Sequence, residues 1–446
     1  MIARAGLLSC WLLLAAPAMA QTPAPVVAQT PAPVVAQTLD AALAERADEL
    51  VAVLSGHTPT GYFSDSFDQA VLPARFAAVV EQLRSALGQP RRVEAVTPAG
   101  PHAARLTVDY ERGTAAVELV IDPATPYRVT GLLVTGTTLN DDSFARIEAD
   151  FRALPGASGF GVYELGRGSP RALVEWRGDA PAPLGSAFKL WLLAEASRQV
   201  GAGVRHWRDV VPLGAPSLPS GITQSWPAGT PMTLQSLATL TISISDNTAA
   251  DTLLHVLGRE RVEAIVRATG TADPGRDLPF LSTREAFAIK ATPVLASAWA
   301  RATNSEQRRR LLADNGERLA RVPLSPAMFG PGPLASETVE WFGSPVDIAR
   351  VLDWLRVHGD ATARAILAIN AGTDAATAAR FGYVGFKGGS EPGVITLNWL
   401  VRTSDGRWFA VTGNWHRADA DTPLLPFATL MNRALALTAS GGAPAR

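Results

Sequence analysis

The stretch 182–196, APLGSAFKLWLLAEA, holds the pair of residues that most invites chemistry. Ser186 and Lys189 are three apart at the start of an apolar, helix-patterned run, so their side chains share one face, a turn apart. The PAPLG segment just before breaks the chain and puts Ser186 at or near a helix N-terminus. There the helix dipole and free N–H groups favour developing negative charge. A serine hydroxyl is a weak nucleophile until a neighbour takes its proton, and a desolvated lysine can do that. Lysine is conspicuous in this chain. Lys+Arg total 40, yet the only lysines are Lys189, Lys290 and Lys387. Arginine cannot give up its proton, so a retained lysine marks a position where a proton has to leave, or else a solvated helix residue.

Two further stretches carry candidate groups. In TLTISISDNTAADTLL (239–254), Ser245-Asp246-Asn247 interrupts an apolar run at a loop-to-helix junction. A hydroxyl there could pass a proton to a leaving group and the Asn247 amide could hold a substrate carbonyl. An N-cap of the following helix is an equally open reading of the same residues. In VGFKGGSEPGVITLNWL (384–400), Lys387 opens a Gly-rich stretch that leads into a strand-like run. Gly388 and Gly389 permit close approach of backbone and substrate, and an ammonium can pair with a carboxylate. Taken alone, an ordinary loop before a strand explains it as well.

The order Ser-x-x-Lys, Ser-Asp-Asn, Lys-Gly-Gly resembles the motif set of class A β-lactamases and penicillin-binding proteins. The resemblance spans roughly 155–440 and extends between the motifs, through RALVEWRGDAPAPLGSAFKL and PAGTPMTLQSLATLTISISDNTAADTLL. It implies Ser186 as acylated nucleophile, Lys189 as its proton acceptor, and Ser245 as proton shuttle. Asn247, Lys387, Gly389 and Ser390 would contact substrate, and the backbone N–H groups of Ser186 and Ser390 would form an oxyanion hole. Each such donor is typically worth ~3 kcal/mol of barrier.

The sequence also departs from that family. The third motif carries Gly388 where the family has a hydroxyl residue, with Ser390 able to compensate. No Glu-x-x-x-Asn segment for a deacylating water is recognisable. The region reads DLPFLSTREAFAIKATP, followed by a long helical insertion and ETVEWFGSP. Glu285 is the best placed by order, against a solvated or Arg-paired alternative.

The elements that must position these groups follow from patterning. The chain has 446 residues, 47% hydrophobic and 18% charged, with a formal net charge of -1, which gives no single-sign field for nucleic acid. Arg4, an apolar run and Ala18-Met19-Ala20 read as a signal peptide over 1–20, so a periplasmic or secreted protein with no integral membrane segment after cleavage is expected. The only cysteine, Cys10, lies within it. The repeat QTPAPVVAQTPAPVVAQT reads as a Pro/Ala-rich tether over 21–38. Residues 39–152 read as two helices followed by four strands, an α+β unit resembling an NTF2/steroid-isomerase-like or cystatin-like cone, in which His57, His102 and Tyr110 are surface or core residues. Residues 153–440 read as an α/β (α+β) β-lactamase/transpeptidase-like domain with a helical subdomain, its single sheet assembled from strands at both ends.

The two-domain combination resembles the β-lactamase-like protein of clavulanic acid biosynthesis clusters, whose relatives are linked to ester hydrolysis. A serine hydrolase acting on an ester or β-lactam is therefore expected. The alternatives are a class A β-lactamase conferring resistance and a penicillin- or cell-wall-peptide-binding protein that does not turn over. No cofactor and no metal ligand set are expected.

Overall fold

The computed structural model describes residues 41–330 and 332–440, so the expected signal peptide and the repeat tether lie outside the described residues. The chain divides into two compact units at Asn140/Asp141. Sequence patterning predicts this boundary at 152. The difference is the helix Phe144–Ala153, whose Ile147 and Phe151 are buried in a core with Phe160, Trp399 and Phe427 of the second unit. An amphipathic helix follows whichever core receives its apolar stripe, and chain order alone does not reveal which core that is.

The first unit has helices Ala41–Leu54, Asp65–Ala70 and Pro73–Leu87, then a four-stranded antiparallel meander. The short middle helix is capped by the Ser64 hydroxyl, which accepts from Phe67 N. Strands Ala103–Tyr110 and Gly113–Ile121 alternate buried and less buried residues, as expected of a sheet with one packed face. Tyr110 lies in that core and His57 is exposed.

In the second unit the sheet is indeed built from both ends. Its order is Phe381–Glu391, Val394–Thr403, Trp408–His416, Ala157–Leu165, Arg171–Trp176, antiparallel throughout. One difference from expectation matters for the site. The sequence predicts Lys387 and its glycines just before a strand, yet they lie inside the edge strand, with Lys387 opposite Asn398 and Gly389 opposite Thr396. Glycine weakens strand propensity, so the run hides its own strand unless close packing requires it.

Behind the sheet runs the helix Lys189–Gly201, entered through a 3₁₀ turn at Gly185–Phe188. Every residue from Lys189 to Ser197 is buried, which is the signature of a helix enclosed on all sides. A two-residue pairing of Ala182–Pro183 with Phe342–Gly343 fixes the entry to this helix. Phe188 stacks on Trp341 at 3.8 Å between centroids.

Arg433, 5% exposed, ties the closing helix Leu424–Ala439 to the start of the unit through Asp142 and Asp150, each at 2.7 Å. Removing one member of a buried pair leaves an uncompensated charge. Arg433→Met should lower unfolding stability by about 3–5 kcal/mol in denaturant titrations. Arg433→Met/Asp142→Asn should recover part of that loss.

Candidate functional site

The 3₁₀ turn places Ser186 half-buried at the head of the central helix, with Lys189 fully buried one turn on. Lys189 Nζ lies 3.2 Å from Ser186 Oγ, 2.6 Å from Asn247 Oδ1, 2.7 Å from the Ser245 carbonyl oxygen and 3.1 Å from Ser245 Oγ. The two shortest contacts are to oxygens that only accept. They occupy two N–H bonds, which leaves a neutral amine its lone pair for a hydroxyl.

Ser245 and Asn247 reach the site because Asp246 does not. Asp246 Oδ1 caps the helix Asn247–Leu257 by accepting from Ala249 N, and also accepts from Thr223 Oγ1. Its other oxygen accepts from Ile222 N and Thr223 N. The N-cap reading of the Ser-Asp-Asn stretch is realised at Asp246, while Ser245 and Asn247 contact Lys189. The arrangement holds Ser245 at φ 60, in the left-handed region that a β-carbon disfavours. Asn247 Nδ2 meanwhile donates to the Leu218 carbonyl at 3.3 Å.

Lys387 comes from the edge strand. Its Nζ lies 3.1 Å from Ser245 Oγ and 2.5 Å from the Gly388 carbonyl oxygen. Ser245 Oγ therefore bridges the two amines, 3.1 Å from each. Burial, reinforced by the Lys189 charge, holds the Lys387 amine well below the ordinary lysine value.

The edge strand presses against the Ser186 turn. A β-carbon on Gly389 would sit 2.6 Å from Ser186 N and run into the Leu184 carbonyl oxygen. One on Gly185, which has φ 48, would sit 3.0 Å from Ser390 N. Both positions need glycine for close backbone approach. Thr396 Oγ1 donates to the Leu184 carbonyl at 3.1 Å and secures the contact from the neighbouring strand. Two backbone amides, Ser186 and Ser390, are thereby brought close together.

Glu285 is not among these groups. Both its oxygens accept from Arg259, at 2.7 and 2.9 Å, and it completes a capping box with Ser282 at the start of Thr283–Lys290. The Arg-paired alternative describes its surroundings. The signal was present in Ser282-Thr283-Arg284-Glu285, since Ser-x-x-Glu before an apolar helix is a capping pattern.

A second carboxylate, unremarked in the sequence, lies much nearer. Glu340, from the segment just before the Phe342–Gly343 pairing, accepts from Gly185 N at 2.9 Å. It lines a small cavity together with Ser186, Asn247, Thr283, Ser390 and Glu391. Lys290 Nζ lies 3.6 Å from Glu340 and 2.5 Å from Glu391. Burial pushes the Glu340 carboxyl up to about 8, with Lys290 opposing the shift and Glu391 adding to it. One buried ammonium between two buried carboxylates favours keeping one proton on the pair. Among the described residues no group of acidic, His or Cys side chains could hold a metal ion, and no helix is long and apolar enough to cross a membrane.

A family model described as "Beta-lactamase enzyme family" matches residues 143–310. This match supports the β-lactamase-like serine hydrolase superfamily, with its mixed α/β fold, for the second unit. No curated protein matches the chain. Among solved structures, a β-lactamase from Sphaerobacter thermophilus DSM 20745 is 22% identical, with a TM-score of 0.45, 68% of this chain and 97% of that one covered. A β-lactamase from Burkholderia phymatum is 18% identical at TM-score 0.44, with 66% and 96% covered. The protein PBP-A is 15% identical at TM-score 0.44, with 67% and 94% covered.

The raised Glu340 carboxyl has a consequence for stability. Between the unfolded value near 4.5 and the folded value of about 8, the folded protein holds a proton that the unfolded chain releases. Stability contributed by this group is therefore lost as pH rises through that window. Glu340→Gln cannot titrate, so its stability measured from pH 4.5 to 8 should fall less steeply than that of the wild type.

Proposed function

We propose that the second unit is an acyl-enzyme serine hydrolase acting through Ser186 on an ester or β-lactam. The observation that carries this reading is the proton path, Ser186 Oγ to Lys189 Nζ at 3.2 Å with Ser245 Oγ bridging Lys189 and Lys387. In the first step Ser186 Oγ bonds to the acyl carbon while its proton passes to a neutral Lys189 amine. The carbonyl oxygen becomes an oxyanion facing the Ser186 and Ser390 N–H groups. Collapse breaks the bond to the leaving alcohol or amine, which takes the proton from Lys189 through the Ser245 hydroxyl. Water then adds to the acyl carbon and Ser186 departs with its proton restored, so one water is consumed per acid released. In this reading Lys387 binds a substrate carboxylate and the Asn247 amide orients the substrate. A small acyl compound or a cell-wall peptide suits such a site.

Glu285 is held by Arg259 and Ser282, which leaves it out of the second step, and Lys189, 3.2 Å from Ser186 Oγ, is the base we assign to the water. That step is then slow relative to the first. The same observation favours a second reading, in which the protein acylates and stalls as a penicillin- or cell-wall-peptide-binding protein. A class A β-lactamase conferring resistance is the other alternative. The N-terminal pattern supports export to the periplasm or medium, and the helices-then-meander order supports an NTF2/cystatin-like first unit.

Purified protein should turn over p-nitrophenyl acetate many times and hydrolyse nitrocefin or a penicillin poorly. Ser186→Ala should cost about 1,000-fold or more in ester turnover. Lys189→Arg, which keeps the charge but cannot shed the proton, should cost about 100-fold or more. Normal turnover in either variant contradicts the assignment. Rapid β-lactam turnover would instead identify a β-lactamase, and a stable adduct without turnover a binding protein.

A further inference from the structure

We propose that Lys290, the third lysine, is a positioning residue that sets the spacing of the two oxyanion-binding amides through Glu340 and Glu391. The inference rests on the acyl-transfer reading of Ser186. Glu340 accepts from the N–H of Gly185, the residue immediately before Ser186. Glu391 is the residue immediately after Ser390. Each carboxylate is thus tied to the backbone within one residue of one of the two amides. Lys290 joins them, with Nζ 2.5 and 2.6 Å from the two Glu391 oxygens and 3.6 Å from Glu340.

The three side chains are shielded from solvent, 0% exposed for Lys290, 2% for Glu340 and 6% for Glu391. A desolvated ion triad is seldom a net gain in stability over packed apolar side chains, so thermodynamic need explains it poorly. It does fix geometry: the two charge-assisted Lys290–Glu391 hydrogen bonds are short and directional, and the 3.6 Å ion pair draws Glu340 toward the same ammonium. Lys290 is itself well anchored. It ends the helix Thr283–Lys290, where the C-terminal dipole favours a cation, and the Ser282–Glu285 capping box fixes the start of that helix. The Gly185 turn and the edge strand have no mutual backbone pairing in the sheet order, so their separation needs a lateral tie. The triad supplies one in addition to the Thr396 contact with the Leu184 carbonyl.

The test is a variant that keeps volume and removes the tie, Lys290→Met/Glu340→Leu/Glu391→Leu. Single-turnover acylation by p-nitrophenyl acetate separates the saturating rate from apparent affinity. The triple variant should fold, with a melting transition as cooperative as that of the wild type. Its saturating acylation rate should drop by about 10- to 100-fold, the scale of a misplaced reacting geometry, with affinity little changed. Glu340→Leu alone leaves the Lys290–Glu391 pair intact and cuts only the tether to Gly185. It should show a smaller drop of the same kind, and it decides the matter should the triple variant fail to fold. A wild-type saturating rate in the folded variant, or a loss confined to affinity, overturns the proposal. A wild type that forms no acyl adduct overturns the reading of Ser186, and the proposal with it.

Discussion

A lysine amine with no exposed surface must be surrounded by oxygen, and the second unit is organised around that demand. Lys189 is 0% exposed, and its partners include Ser186 of its own turn and the Ser245–Asn247 segment. An unpartnered buried amine would cost several kcal/mol, so the segments that supply the oxygens cannot drift without penalty. Asp246 turns this into rigidity by spending its own carboxylate on the loop at 222–223 and on the helix cap. Lys387 then joins from the edge strand through the same Ser245 hydroxyl. Two amines sharing one hydroxyl in a dry site disfavour double protonation, which is the condition under which one of them can accept a proton.

Close backbone approach is the second constraint. Gly185 and Gly389 let the Ser186 turn and the edge strand meet closely, a fit that any β-carbon would spoil. The chemistry proposed at Ser186 therefore depends on residues that contribute no side chain at all. The ion triad of Lys290, Glu340 and Glu391 lies beside this contact, and all three lysines of the chain end up within the site or bordering it.

The legible parts of this arrangement were those encoded by short spacing. Ser-x-x-Lys on one helix face and the Ser-Asp-Asn junction are spacings of a few residues, and the two-ended sheet follows from strand-like runs near both ends of the unit. The Lys387 strand was missed because its glycines depress strand propensity while serving close packing. The helix Phe144–Ala153 was given to the wrong unit because amphipathicity says that a core exists without saying which one. The triad was beyond reach for another reason. Its members stand at 290, 340 and 391, and only the tertiary fold brings them together. Lysine scarcity was the one hint, and it marked Lys290 without naming a partner.

The central claim is that an acyl group on Ser186 points its carbonyl oxygen between two backbone amides. A crystal structure of the protein soaked with an acylating ester or a penicillin tests it most directly. The account predicts density continuous with Ser186 Oγ and a carbonyl oxygen about 2.7–3.1 Å from both Ser186 N and Ser390 N. An adduct on another residue, or a Ser186 adduct whose carbonyl oxygen faces away from both amides, would contradict it.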